Sequence, residues 1–246
     1  MPTTFHHSLI PHYHTMARTG WGGGKAQRLA WWPAAGAGQA SGDGLASTIV
    51  EQFEASRYDS DTGGHYLEID SDNETGESKS DVYIASTSFY FAVTPISNCY
   101  FFMRFKLPTI TNVRFFAGLC QYTDRDYITT ADDPGRIYAG YQFSTARGDT
   151  NFQFAHDDSS TQTLVDTGVA PATDVVYQAE LEYSSDGTAL RGRISNADGG
   201  VLMADTMHTA SNITNNKLIA FAPYIGVVTL AAETKQFRFY RSEVWA

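Results

Sequence analysis

The chain has 246 residues, of which 42% are hydrophobic and 18% charged, a balance typical of a globular protein with a substantial core. Its net charge of −10 argues against free nucleic acid as a main partner, because phosphate binding requires a basic surface. No apolar run reaches the roughly 18 residues of a membrane-spanning helix, and no secretory signal is evident at the N-terminus. We therefore expect a protein made in a cytoplasm, with no membrane span.

Residues 1–45 differ in composition from the rest of the chain. Residues 1–42 contain three basic residues and no Asp or Glu, so the remainder carries −13. No apolar periodicity predicts a core within this segment. We expect an extended basic and aromatic arm over 1–45 that docks on a partner chain. Its anchoring side chains would be the three basic residues and three tryptophans: Arg18, Trp21, Lys25, Arg28, Trp31 and Trp32.

Residues 46–246 carry the pattern of an all-β body. Residues 46–54 form the one candidate helix, with Ser47 as a possible cap. Tyr100–Leu107 alternates apolar with basic side chains and predicts a half-buried strand that ends at Pro108. Further strands are predicted at 113–122, 137–143, 151–156, 163–169, 176–183, 189–194, 201–207, 218–229 and 236–244. Many short strands separated by turn sequences favour a sandwich or a barrel.

Several packing and turn patterns in the second half of the chain point to one family. They are Phe116-Ala117-Gly118-Leu119, Ala139–Phe143, Asp149–Gln153, Asp166–Ala170 and Lys235–Phe239. Together they resemble the concanavalin A-like lectin and glucanase jelly roll, in the form common among phage virion proteins. The resemblance implies two curved antiparallel sheets packed into a sandwich. In virions it implies a fibre, spike or capsid-decoration protein.

The acidic segment at Glu68, Asp70 and Asp72 is the strongest enzymatic candidate. Glucanases on this fold carry catalytic carboxylates on alternate residues of one strand, where they share a face. Here the third acid is Asp rather than Glu, and a polar loop follows it. A solvated strand end is therefore the favoured interpretation, and the chain is not predicted to be an enzyme.

Calcium is the one cofactor that the sequence leaves open. Asp70, Asp72 and Glu74 could supply the several oxygen ligands that calcium requires, and Asp132 and Asp133 lie in a second acidic loop. Neither run has an EF-hand pattern, so solvated loops are favoured and no cofactor is expected.

The two cysteines, Cys99 and Cys120, flank two predicted strands. If strands 100–107 and 113–122 pair as a hairpin, the cysteines lie almost opposite each other, within bridging range. We expect them close together and, in a reducing cytoplasm, as thiols.

The favoured function is that of an oligomeric virion protein whose arm binds capsid, neck or tail proteins and other copies of the chain. The sandwich would be displayed to solvent, where it could contact host glycans. Tyr138, Tyr141 and Tyr224 could stack on sugar rings, although filling the sandwich is the alternative role for each. Two other functions remain open: a stand-alone carbohydrate-binding lectin, and a glycoside hydrolase using Glu68 and Asp72.

Overall fold

The structure is a computed structural model. It describes residues 28–34, 37–42, 47–51, 55–61, 64–70, 78–85, 99–121, 131–159, 161–184, 189–209 and 221–245. Every regular element within these ranges is a β-strand, so no helix here could cross a membrane.

Sixteen strands follow one another along the described chain. They are β1 (Arg28–Ala34), β2 (Ala37–Gly42), β3 (Ser47–Glu51), β4 (Ala55–Asp61), β5 (Gly64–Asp70), β6 (Ser78–Ala85), β7 (Tyr100–Lys106), β8 (Val113–Gln121), β9 (Ile137–Ser144), β10 (Gln153–Asp158), β11 (Gln162–Asp166), β12 (Tyr177–Tyr183), β13 (Ala189–Asn196), β14 (Val201–Thr209), β15 (Phe221–Thr229) and β16 (Gln236–Trp245).

The strands form two antiparallel sheets. Sheet A has nine strands, in the order β14-β13-β12-β7-β16-β1-β2, with β5 also paired to β16 and β4 paired to β5. Sheet B has seven strands, in the order β11-β10-β9-β8-β15-β6-β3. The fold class predicted from the sequence, an all-β sandwich of two antiparallel sheets, is confirmed.

Aromatic side chains fill the space between the sheets. Phe105 of sheet A lies at its centre, with its ring centroid 4.9 Å from that of Phe115 in sheet B and 5.7 Å from that of Tyr177. Phe152 closes the group, 5.0 Å from Tyr177 in an edge-to-face arrangement. All four side chains are fully buried. Such rings remove large apolar areas from water and add specific pairing geometry.

Each strand predicted from residue 100 onward is observed, with ends that differ by three residues at most. The candidate helix over residues 46–54 is not observed in the part that the structure describes, because Ser47–Glu51 is strand β3 and pairs with β6. The β-branched run Thr48-Ile49-Val50 favours a strand, since branching at Cβ restricts side-chain rotamers in a helix.

The predicted arm over residues 1–45 needs correction in its second half. Residues 28–34 and 37–42 are β1 and β2, and β1 pairs with β16 from Arg28↔Trp245 to Trp31↔Ser242. These strands need no core of their own, because they extend a sheet that the body already provides. Arg28, Trp31 and Trp32 therefore lie on a sheet strand, and an extended arm cannot reach beyond residue 27. Arg18, Trp21 and Lys25 lie outside the described residues.

From a buried histidine on β14 we expect the sandwich to be sensitive to acid. The Nε2 atom of His208 lies 3.0 Å from the carbonyl oxygen of Phe154, and the two rings stack at 4.6 Å. Burial lowers the pKa of His208, against the opposing effect of that hydrogen bond. The folded state thus disfavours the proton, so this stability is present above the ordinary pKa of about 6.5 and is lost as pH falls through the lowered value.

We expect the urea midpoint to fall between about pH 7.5 and about pH 5. The His208→Gln variant should show a smaller fall over the same interval, because its side chain does not titrate. An equal fall in both proteins would show that His208 does not cause the sensitivity.

Candidate functional site

An ion cluster on sheet A contains the strongest catalytic candidate of the sequence, Glu68. Its Oε2 atom accepts a hydrogen bond of 2.6 Å from Nε of Arg238. The Arg238 Nη1 atom donates to Oδ2 of Asp61 at 2.9 Å, and Tyr240 donates its hydroxyl to the same oxygen at 2.7 Å. The guanidinium lies over the ring of Tyr66, 4.4 Å from its centroid. The cluster therefore joins β4, β5 and β16.

This arrangement suits a structural clamp better than a catalytic carboxylate. Glu68 is 1% exposed, and its charge is matched by a charge-assisted bond to Arg238. Asp70 lies on β5 opposite Gln236, while Asp72 and Glu74 lie outside the described residues. Of the three predicted carboxylates, the structure therefore describes only that of Glu68, and it places this side chain in the ion cluster.

Replacing Glu68 with Gln should weaken the fold. The buried carboxylate that pairs with Arg238 would lose its charge, so we expect a loss of about 2 kcal/mol in the free energy of unfolding. The matched control is Asp205→Asn, which breaks the more exposed Arg191–Asp205 pair and should cost less than about 1 kcal/mol. Urea denaturation measures both values. Equal small losses would show that the Glu68 pair is not a clamp.

The three tyrosines predicted to stack on glycans are all buried. Tyr138 is 1% exposed, and Tyr141 and Tyr224 are fully buried. Tyr141 points between the sheets and packs on Phe154, with 5.4 Å between the two ring centroids. Tyr138 and Tyr224 lie on the outer face of sheet B, and their ring centroids are 5.4 and 5.9 Å from that of Phe116. None presents a ring face to solvent, so their role in this structure is packing.

A glycine pair lies beneath Phe116 at the centre of this face. Gly118 of β8 and Gly140 of β9 are directly opposite each other. A Cβ atom on either would lie within about 3 Å of the Phe116 ring and closer still to backbone atoms of the neighbouring strand. The absence of these side chains lets the ring lie flat on the sheet, and the ring in turn supports Tyr138 and Tyr224.

We call the rings of Phe116, Tyr138 and Tyr224 the aromatic floor, and polar side chains lie beside it towards the β11 edge of sheet B. We call them the polar strip, which consists of Arg114, Asp132, Tyr138, Gln142, Arg147 and Gln162. The strip combines strands β8, β9 and β11 with the segments that precede and follow β9. Planar amides and guanidinium groups of this kind are suited to fixing the orientation of a polar ligand.

Hydrogen bonds hold the polar strip in one arrangement. Nε of Arg114 donates to Oδ1 of Asp132 at 2.8 Å. Nη1 of Arg147 donates to Oε1 of Gln142 at 3.1 Å and to the carbonyl oxygen of Asp132 at 3.2 Å. Nε2 of Gln162 donates to the same carbonyl oxygen at 2.6 Å. Burial raises the pKa of Asp132, but hydrogen bonds from Ser144 and Arg114, together with the charges of Arg114 and Arg147, outweigh it and lower the pKa below its usual value.

One atom of the strip remains open to a ligand. Gln162 is partly exposed on the edge strand β11, and its Nε2 group is engaged within the strip. Its Oε1 atom receives no hydrogen bond from the described residues. Leu164, two residues further along the same face, is also partly exposed and packs against the aromatic floor. The edge thus offers a hydrogen-bond acceptor beside an apolar surface.

The tripeptide Arg147-Gly148-Asp149 forms a turn that fixes the position of Arg147 in the polar strip. Arg147 donates to both carboxylate oxygens of Asp149, at 2.9 and 2.7 Å, and Gly148 has a φ of 81°. Asp149 also accepts from the backbone N–H of Ser144 at 2.8 Å. With 7% of its side chain exposed, Asp149 is committed to the turn and orients Arg147 towards Gln142.

Sequence reasoning identified Tyr138 and Asp132 but assigned them other roles, and it missed Arg114, Gln142 and Gln162. These residues can be recognised only from the register between neighbouring strands, which shows which side chains share a face. Gln142 lies opposite Phe116 on β8 and opposite Gln153 on β10, so it shares the outer face with the aromatic floor. That face can be read only once the strand partners are known.

Metal binding finds no support among the residues that the structure describes, since they contain no group of three or more His, Cys, Asp or Glu side chains placed for an ion. Asp132 bonds Arg114, and Asp133 accepts from the backbone N–H of Gly135. The calcium candidates Asp72 and Glu74 lie outside the described residues, so calcium binding there stays a prediction.

The hairpin on which the expected proximity of Cys99 and Cys120 depended was wrong. Strands β7 and β8 belong to different sheets, so they form no hairpin and have no shared register. Cys99 lies between the sheets, while Cys120 belongs to the cluster on the outer side of sheet B. Both are buried thiols, and burial raises the pKa of the Cys99 thiol to about 12.

Comparisons with known proteins find the fold but no sequence family. No family model matches the sequence, and no curated protein matches it. A protein of unknown function from Shewanella oneidensis has a TM-score of 0.60 and 13% identity, covering 90% of this chain and 86% of that one. A family 7 alginate lyase, solved with product, has a TM-score of 0.53 and 9% identity, covering 89% of this chain and 95% of that one. Peanut lectin has a TM-score of 0.46 and 11% identity, covering 82% and 98%.

None of these three proteins is described as a virion component, so the virion role stays a prediction. At these identities the first two likenesses establish the fold alone. The described chain is an antiparallel jelly-roll sandwich of the concanavalin A-like kind.

Proposed function

We propose that this protein binds carbohydrate, and that the polar strip on the outer face of sheet B holds the sugar. The observation that carries the proposal is the open Oε1 atom of Gln162, next to amide and guanidinium groups that are already fixed in position. Carbohydrate hydroxyls both donate and accept hydrogen bonds, so they match such planar groups well. An alginate lyase with a similar fold was solved with its product, which supports carbohydrate binding but does not locate the site.

The prearranged hydrogen bonds favour binding. Arg147 is held by Asp149, and Gln142 by Arg147, so neither side chain must be ordered when a ligand arrives. The conformational entropy lost on binding is smaller when the side chains are ordered beforehand. Partly exposed Leu164 would contact the apolar face of a sugar ring.

We propose binding rather than cleavage, since the one fully described carboxylate of the enzymatic candidate, Glu68, is buried beside Arg238. Glycans bound by the protein should therefore be recovered intact after prolonged incubation. Release of new reducing ends or unsaturated sugars by wild-type protein, lost in Glu68→Gln, would instead establish the hydrolase or lyase alternative.

A Gln162→Ala substitution tests the site. An immobilised glycan panel identifies ligands, and calorimetry then measures the affinity of the best oligosaccharide. We expect Gln162→Ala to weaken binding by about tenfold, the loss of roughly one hydrogen bond to a ligand. The control is Gln178→Ala, which removes an amide from the outer face of sheet A and should leave affinity unchanged. Failure of every glycan to bind, or equal affinity in Gln162→Ala, would overturn the proposal.

The setting that we propose remains the one the sequence favours: an oligomeric virion protein, made in the host cytoplasm and anchored to other virion proteins. The charge asymmetry of the N-terminal region supports this setting. With β1 assigned to the sheet, the anchor narrows to residues 1–27, including Arg18, Trp21 and Lys25. A chain lacking residues 1–27 should keep its glycan affinity but fail to assemble into particles. Assembly of the shortened chain would contradict the anchoring role.

A further inference from the structure

The charges around the polar strip indicate which class of glycan it accepts. Resting on the proposed function, we propose that the strip selects neutral oligosaccharides and rejects those that carry carboxylates or sulfates. Three features of the described residues support this selectivity: the pairing of its arginines, the excess of aspartates, and the chemistry of its open atom.

Both arginines of the strip are already matched by carboxylates. Arg114 is paired with Asp132 at 2.8 Å, and Arg147 is paired with Asp149 through two bonds. These guanidinium groups are therefore neutralised by the protein itself. A sugar carboxylate would have to displace an internal carboxylate to gain a cation, which would leave that aspartate without its partner and cost free energy.

Aspartates outnumber arginines across this part of the sandwich. Residues 113–121 and 131–168 contain three arginines, six aspartates and no Lys or Glu, a net charge of −3. Asp157 is fully buried on β10, directly opposite Tyr138, and Asp166 is exposed at the end of β11. An anionic glycan would thus approach a region whose net charge has its own sign, which disfavours both encounter and binding.

The open atom of the strip also distinguishes the two classes. Oε1 of Gln162 is an acceptor and has no proton to donate. A hydroxyl group can donate to it, whereas an ionised carboxylate or sulfate can only be repelled by it. Exclusion through unfavourable contacts is a recognised route to specificity.

Calorimetry with two sets of matched probes tests the selectivity. The neutral probes are glucose and mannose hexasaccharides, and the anionic probes are mannuronate and guluronate hexasaccharides, each at about 25 mM and about 250 mM salt. We expect the best neutral probe to bind at least about tenfold more tightly than any uronate at low salt. The gap should narrow at high salt, because screening weakens the repulsion.

Asp132→Asn is the informative variant, since it releases Arg114 from its ion pair. We expect it to strengthen uronate binding by about threefold or more. Asp198→Asn removes the same charge from an exposed turn elsewhere and should change uronate binding far less. Because Asp132 helps to order the strip, a thermal melt confirms that Asp132→Asn is folded, and its uronate affinity is compared with that of Asp198→Asn.

The possible failures are distinguishable. Uronates that bind as tightly as neutral sugars, or an equal gain in Asp132→Asn and Asp198→Asn, would overturn the selectivity and leave carbohydrate binding in place. Absence of binding by both probe sets and by the glycan panel would overturn the proposed function, and this inference with it.

Discussion

Deletion of residues 1–45 should severely destabilise the sandwich, whereas deletion of residues 1–27 should leave it folded. The longer deletion removes β1 and β2, and with them the strand that covers the Ser242–Trp245 half of β16. Net contributions of about 1 kcal/mol per hydrogen bond give a loss of about 3–5 kcal/mol, before any apolar area is counted. That is a large part of the roughly 5–15 kcal/mol that stabilises a typical domain.

Urea denaturation followed by circular dichroism measures the two truncated proteins side by side. An exposed β16 edge should also make the shorter chain prone to aggregation, because unpaired strand edges recruit other chains. Equal stability of the two proteins would show that β1 and β2 are dispensable, and that the boundary at residue 45 predicted from the sequence is the correct one.

Among the described glycines of sheet B, Gly118 should tolerate replacement by alanine least well. The new Cβ atom would lie 2.3 Å from the carbonyl oxygen of Ala139 and 2.6 Å from the Cα atom of Gly140. Both are backbone atoms of the paired strand and cannot rotate away, so β8 and β9 must separate. We expect a loss of about 2–3 kcal/mol, at the upper end of the usual cost of overpacking.

Gly199→Ala is the matched control for this substitution. Gly199 lies in the turn between β13 and β14, and its added Cβ would meet only Cγ2 of Val201, at 3.4 Å. We expect a change within about 0.5 kcal/mol in chemical denaturation. Comparable losses at both positions would mean that the close approach of β8 and β9 does not restrict residue 118.

The strands from residue 100 onward could be predicted because their signals are local. In Tyr100–Lys106, buried apolar side chains recur at every second residue, Phe101, Met103 and Phe105, and Pro108 follows the strand. The strands β1 and β2 had no such signal. Their stability comes from β16, which lies some two hundred residues later in the sequence.

Which strands pair with each other was the second feature that could not be predicted from the sequence. Residues 100–106 and 113–121 are neighbours in the chain and were expected to form a hairpin. They instead lie in opposite sheets, where β7 pairs with β12 and β16 while β8 pairs with β9 and β15. A loop of six residues can turn a hairpin or cross a sandwich, so loop length alone could not decide between them.

The candidate site was the least predictable part. Glu68 was singled out by its acidic neighbours, but its environment is set by Arg238, which lies 170 positions away in the sequence. The amides Gln142 and Gln162 belong to no motif. They become a site only when β9, β10 and β11 bring them onto one face.

The central claim, that sugar binds on the outer face of sheet B near β11, is tested most directly by NMR shift mapping. A neutral oligosaccharide that binds the protein is titrated into ¹⁵N-labelled chain while backbone and side-chain amide signals are followed. We predict that the largest shifts fall on the side-chain amides of Gln142 and Gln162 and on the backbone of β9 to β11. Shifts concentrated on sheet A, around Arg238 and Tyr66, would contradict this location.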